Sequence, residues 1–235
     1  MSGKAPKGLF VPLVTPFHAD ESIDYEGYKR VIDYVIEGGM DGVLVGGTTG
    51  EYHMMSVEER KELIKKGCEI VGGRVHVMAG TGMNTAKATI ELTNYAAECG
   101  AEYALVLPPY YHQTTEEGIY EFFREIAAGS KIGIVIYHTP GATNVELSVP
   151  LIRRLAQIEN IVAVKETIDE THTSQTYMHT KDIPGFCVME ANEPLLLPSY
   201  AIGIDAAFSI IFNLLPREMR ELYDLVFQKN DLAAA

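Results

Sequence analysis

A lysine closes an apolar run in this chain, Ile161-Val-Ala-Val-Lys165, and is followed by Glu166 and Thr167. Four apolar residues without polar alternation read as a parallel strand covered on both faces. An amine at the mouth of such a strand sits half out of water, which disfavours its charged form and lowers its pKa. An amine tuned in this way can attack a carbonyl and form a Schiff base. The same run also fits a lysine that merely marks where the strand reaches solvent. What else collects at that end decides between the two.

Two further groups of residues have usable chemistry. Gly47-Thr48-Thr49-Gly50 is a glycine-flanked turn offering backbone N–H groups and two hydroxyls, a set suited to a carboxylate or phosphate oxygen. Glycine and threonine also fill turns for conformational reasons alone. Tyr137 and Tyr111 are phenols able to pass protons, although buried tyrosines commonly fill space and satisfy one hydrogen bond. The seven histidines show no metal-ligand spacing, and no H-E-x-x-H is present. No metal and no cofactor is expected. Cys68, Cys99 and Cys187 form no C-x-x-C pair and read as reduced core thiols of a cytoplasmic protein.

The elements that must position these residues alternate regularly. Strand-like runs are expected at Leu9–Val14, Gly42–Gly46, Val75–Ala79, Tyr103–Leu107, Ile132–Ile136, Ile161–Val164, Phe186–Met189 and Ala206–Ile211. Helix-period segments separate them. One carries Tyr28, Val31, Ile32, Val35 and Ile36 on a face and closes at Gly38-Gly39. Capping boxes are expected at Ser56/Glu59 and Thr114/Glu117. Helices are also expected over Leu151–Leu155, Leu195–Ala201 and Glu218–Gln228. The pattern weakens after the lysine strand. Eight strand-then-helix units without a composition break point to a (β/α)8 barrel, a single catalytic domain over residues 1–235. A doubly wound sheet is the runner-up, but the glycine fingerprint of a dinucleotide-binding unit is missing after the first strand.

In a barrel, chemistry belongs to the loops after the C-terminal ends of the strands. Those positions hold Thr15, Thr48, Thr49, Tyr110, Tyr111, Tyr137, Lys165, Glu190 and Asn213, with Ile210 at the end of the eighth run. Lys165 is the one amine expected there, which favours the Schiff-base reading. The bulk composition agrees with an ordinary globular enzyme: 235 residues, 47% hydrophobic and 22% charged. A net charge of −13 argues against nucleic acid and anionic membranes as partners. No apolar run approaches membrane-spanning length, and Met1–Lys4 opens no signal-peptide core.

Five motifs occur in order: Val14-Thr-Pro-Phe17, Gly47-Thr-Thr-Gly-Glu51, Pro108-Pro-Tyr-Tyr111, Ile136-Tyr-His-Thr-Pro140 and Val164-Lys-Glu166. Together they resemble the dihydrodipicolinate synthase/N-acetylneuraminate lyase family from about Gly8 to the end. The resemblance implies a (β/α)8 barrel with class I aldolase chemistry, without metal, on a 2-keto acid with pyruvate as donor or product. It implies Lys165 as the Schiff-base lysine, Tyr137 as the proton shuttle, and Thr48 and Thr49 (with Gly47) as the clamp for the pyruvyl carboxylate. Tyr111 resembles a tyrosine lent across a subunit interface in a homo-oligomer, a tetramer or a dimer. Thr167 and Ile210 complete the expected substrate-facing set.

The chain also departs from the synthases of that family. They carry an arginine for an acidic aldehyde just after Tyr-x-x-Pro, where this chain has Ala142. Thr167 stands where they tend to have alanine, and is more like the lyases and sugar-acid aldolases. The loop Glu190-Ala-Asn-Glu193 replaces a usual Gly-Asp pair. The expectation is therefore a Schiff-base aldolase or lyase for a hydroxylated or sugar-derived 2-keto acid and its aldehyde. Dihydrodipicolinate synthase activity is the first alternative, and a keto-acid-binding barrel without catalysis is the other. The family's C-terminal helices look absent or truncated here.

Overall fold

The computed structural model describes residues 5–112 and 114–235. The opening segment Met1–Lys4 lies outside the described residues. Eight parallel strands close into a barrel in sequence order, with the first pairing the last. They are β1 (Gly8–Pro12), β2 (Gly42–Val45), β3 (His76–Gly80), β4 (Tyr103–Val106), β5 (Gly133–His138), β6 (Ile161–Glu166), β7 (Cys187–Glu190) and β8 (Ala206–Phe208). The helices are α1 (Tyr25–Glu37), α2 (Val57–Val71), α3 (Ala86–Cys99), α4 (Glu116–Gly129), α5 (Pro140–Thr143), α6 (Val149–Leu155), α7 (Glu170–Thr180), α8 (Leu196–Ala201) and α9 (Pro216–Phe227). Short 3-10 turns cover Tyr52–Met54, Glu193–Leu195 and Ile210–Asn213. The (β/α)8 expectation holds.

The helix signals work as their chemistry dictates. Ser56 accepts from the Glu59 amide while the Glu59 carboxylate accepts from the Ser56 amide, closing the α2 capping box. The expected second box does not form, because the cap lies one residue later and its N3 position is Gly118, which has no side chain to reach back. Thr115, not Thr114, caps α4 by accepting from the Gly118 amide. The eighth strand is shorter than expected because Ser209 takes the Ile211 amide and starts a 3-10 turn. Helix α7 was not legible as an apolar stripe because the side chains it buries are Thr173, Thr176 and Thr180.

Packing separates into an inside and an outside. Phe10, Leu44, Met78, Leu105, Val135, Tyr137, Met189 and Phe208 fill the barrel interior. Apolar side chains such as Val43, Leu63, Ile64, Ile134, Phe123 and Leu155 pack between strands and helices. Each such large side chain contributes about 1.5–3 kcal/mol on full burial.

One irregularity sets which way the key residues point. The β5–β6 register shifts so that Ile134 pairs with Ile161 but Val135 pairs with Ala163, leaving Val162 as an extra residue in β6. A one-residue change of phase sends every later side chain to the opposite face. Beyond this bulge Tyr137 faces Lys165, and His138 faces Glu166.

Candidate active site

Lys165 and Tyr137 occupy the penultimate positions of adjacent strands, pointing inward at the C-terminal end of the barrel. The lysine Nζ lies 3.8 Å from the centre of the Tyr137 ring and 5.1 Å from that of Phe208. Lys165 is only 6% exposed, deeper than the half-solvated amine expected from sequence. That burial lowers its pKa from the ordinary 10.5, against opposing contributions from the Tyr137 phenol and Glu193. Burial alone would raise the Tyr137 phenol. The Lys165 charge, with hydrogen bonding from Lys165, Thr139 and Thr48, outweighs it and holds the phenol below its usual 10.0. The lowered amine favours the neutral nucleophile and the lowered phenol favours a proton acceptor.

Above them opens a cavity of about 240 Å³ lined by Thr48, Thr49, Tyr137, Thr139, Lys165, Thr167, Glu193, Ser209 and Ile210. The loop carrying Thr48 and Thr49 is a tight turn, closed by Gly50 donating to the Gly47 carbonyl and Glu51 donating to the Thr48 carbonyl. It starts at Gly46, whose φ of 66° suits glycine. It packs so closely on β3 that a Cβ at Gly80 would run into the Gly46 carbonyl. Thr15 holds the far side by donating to the Gly50 carbonyl at 2.9 Å. The turn's two threonines line the same cavity as Lys165.

Of the residues singled out from sequence, Lys165, Tyr137, Thr48, Thr49, Thr167 and Ile210 line this cavity. Gly47 lines the small adjoining space between Thr48, Tyr52 and Tyr137. Tyr111 is not brought to either space; it is 81% exposed and stacks edge-on against His112. Glu190 also leaves the set, because its carboxylate turns away from the barrel axis to accept from Ser199 Oγ and the Asn192 amide. Asn213 serves the backbone, donating to the Pro12 and Ile210 carbonyls.

Sequence reasoning gave no role to Thr139, Ser209, Phe208 or Glu193. Thr139 had a usable signal, a hydroxyl two residues beyond Tyr137 on a strand of period two. Glu193 had none, since its place depends on Ser209 Oγ and the Ile210 amide donating to its Oε1 across two loops. The structure also gathers His138, Glu166 and His172 in a buried cluster behind the site. A roomier cavity of about 610 Å³ opens before β7 and β8, at the other end of the barrel, and contains none of these residues. Among the described residues no helix is long and apolar enough to cross a membrane.

Comparison with known proteins gives a consistent result. The family model described as the dihydrodipicolinate synthetase family matches residues 5–235. The 4-hydroxy-tetrahydrodipicolinate synthase of Methanothrix thermoacetophila is 38% identical over 227 residues, covering 95% of this chain and 75% of that protein. The enzyme of the same name from Oceanobacillus iheyensis is 35% identical over 97% of this chain and 76% of its own. Among solved structures, dihydrodipicolinate synthase from Aquifex aeolicus superposes with a TM-score of 0.91 at 36% identity, covering 97% of this chain and 77% of that one. YagE, a prophage protein of the same family from E. coli K12 in complex with pyruvate, superposes with a TM-score of 0.93 at 31% identity, covering 97% and 78%. The chain therefore belongs to the dihydrodipicolinate synthetase family, the class I aldolases that make or break carbon–carbon bonds through a lysine Schiff base.

Proposed function

We propose that Lys165 condenses with pyruvate and that the resulting enamine adds to an aldehyde in the cavity above it. The observation that carries this reading is the buried amine 3.8 Å from the centre of the Tyr137 ring, in a cavity also lined by Thr48 and Thr49. The neutral amine attacks the keto carbon, and loss of water leaves a protonated imine. That cation withdraws electrons from C3, which releases a proton to give the enamine. The enamine carbon then bonds to the aldehyde carbon, and water releases the product and restores the amine. Tyr137 is the acid and base for these transfers, since the cation beside it favours its phenolate. Thr48 and Thr49 hold the carboxylate so that the keto carbon faces Lys165.

For the acceptor, the names of the relatives favour 4-hydroxy-tetrahydrodipicolinate synthesis over the sugar-acid reading expected from sequence. The product's second carboxylate and its ring nitrogen require an acidic amino aldehyde as co-substrate. One observation favours the other reading. The cavity lining contains no arginine but does contain the Glu193 carboxylate and the Thr167 and Ser209 hydroxyls, which suit an uncharged hydroxylated aldehyde. Assays with pyruvate and each aldehyde class separate the two. A kcat/KM at least tenfold higher for the acidic amino aldehyde supports the synthase, and the reverse supports the hydroxylated acceptor.

A homo-oligomer remains part of the reading. Tyr111 and Tyr110 are exposed large aromatics at the end of the barrel that carries the site. Light scattering at micromolar concentration tests it, and a monomer throughout would remove that element. The three free thiols fit a cytoplasmic setting.

A further inference from the structure

Directly behind the Lys165–Tyr137 pair, on the outer face of the same two strands, lies a second pair. His138 Nδ1 is 2.8 Å from Glu166 Oε2, and both side chains are fully buried. A third ring, His172 from the first turn of α7, sits with its centroid 5.0 Å from that of His138. One residue ties the rings together. The Leu147 amide donates to His138 Nε2 at 2.9 Å, and the Leu147 carbonyl lies 3.0 Å from His172 Nε2. His172 Nδ1 faces Glu166 Oε2 at 3.6 Å, completing a ring of contacts.

These contacts assign the protons. The Leu147 N–H can only donate, so His138 Nε2 is an acceptor and its Nδ1 carries the hydrogen given to Glu166. A cation held by His138 Nδ1, Glu166 and His172 would require His138 to lose both protons, so the cluster is not a metal centre. His172 Nε2 faces a carbonyl and carries a hydrogen. Any proton it gains therefore binds at Nδ1, which faces Glu166 and lies 3.4 Å from Thr176 Oγ1. Among the described residues Glu166 Oε1 is buried with no hydrogen-bond partner, so its carboxylate depends on His138 and His172.

We propose that His172 is a positioning residue for the aldolase reaction: its imidazolium, through Glu166 and His138, fixes the ends of β5 and β6 and so the alignment of Tyr137 with Lys165. The proposal rests on the Schiff-base reading above. Thr167 adds to the linkage by donating to the His138 carbonyl at 2.7 Å while lining the substrate cavity. The Glu166 carboxylate raises the His172 pKa above 6.5 by hydrogen bonding, against burial, with smaller help from Glu146. Other acidic groups near His172 and Glu166 are Asp169, whose carboxylate accepts from the His172 amide, the exposed Glu170 at the start of α7, and Glu190 on β7, paired opposite Glu166. On α6, Arg153 is engaged with Asp182 beyond the far end of α7.

The test is the rate of borohydride-trapped imine formation at saturating pyruvate, for the native protein and His172→Gln across pH. Glutamine keeps a donor for the Leu147 carbonyl but cannot become charged. The variant should be about tenfold slower at about pH 6, where native His172 is charged, and within about twofold at about pH 9. KM for pyruvate should not change. A deficit independent of pH, or none, would overturn the proposal. Imidazole NMR of the native protein is the second arm and needs no His172 variant. His172 should titrate above 6.5 and fall in Glu166→Gln, whereas a native value at or below 6.5 contradicts the proposal. Adduct formation with an unchanged pH profile refutes the positioning role alone. No adduct at any pH refutes the aldolase reading as well.

Discussion

Tyr137 and Lys165 are direct partners across the β5–β6 ladder, and the lysine amine lies 3.8 Å from the centre of the tyrosine ring. Burial disfavours the charge on the amine while the phenol opposes that shift, and the lysine charge in turn favours the phenolate, so a nucleophile and an acid/base stand side by side.

Tyr137→Phe removes the proton carrier and keeps the ring that fills the barrel interior. We expect kcat to fall about 10²–10⁴-fold with an unchanged melting temperature, read by steady-state assay and thermal unfolding. A loss below tenfold would assign the proton transfers elsewhere.

Lys165 trades stability for chemistry. Its folded pKa is depressed by burial, so the unfolded chain binds more protons between that value and 10.5. Native stability therefore rises with pH across that window, while at lower pH the full cost of a buried ammonium is present. Lys165→Met should be more stable near neutrality by about 0.5–2 kcal/mol, with the gain shrinking as pH rises through the window. Urea unfolding over a pH series measures it.

Gly80→Ala forces a methyl group onto the Gly46 carbonyl beneath the Thr48–Thr49 turn. We expect a destabilisation of about 1–3 kcal/mol together with a raised KM for pyruvate. A stability loss with unaltered KM would detach the turn from carboxylate binding.

Ala142 is exposed on α5, next to Gly141 at the cavity rim. Ala142→Arg places a guanidinium where an acidic aldehyde enters. Its kcat/KM for that class should rise about tenfold or more, with that for an uncharged aldehyde unchanged. A native enzyme already efficient with the acidic aldehyde, and indifferent to the substitution, would show that another group binds the carboxylate.

Much of this architecture was legible because barrels repeat one local grammar. Apolar runs before Lys165, Tyr137 and Thr48 marked strands, and capping residues such as Ser56 and Gly38 marked helix ends. The Val162 bulge was invisible, since no residue type marks a slip of register, yet it aims Lys165 inward. The histidine cluster was equally hidden, its members being brought together by strand pairing, by both backbone groups of Leu147 and by contacts between side chains distant in sequence. Glu193 reaches the cavity through contacts between loops that no local pattern encodes. Tyr111 was legible only as part of a motif, and in the isolated chain its ring stands in solvent.

The most direct measurement is mass spectrometry after incubation with pyruvate and borohydride, with peptide mapping and Lys165→Ala in parallel. The account predicts one reduced pyruvyl adduct on the native chain, mapped to Lys165 and absent from the folded variant. A native chain that stays unmodified while folded, or an adduct on another lysine, would contradict it.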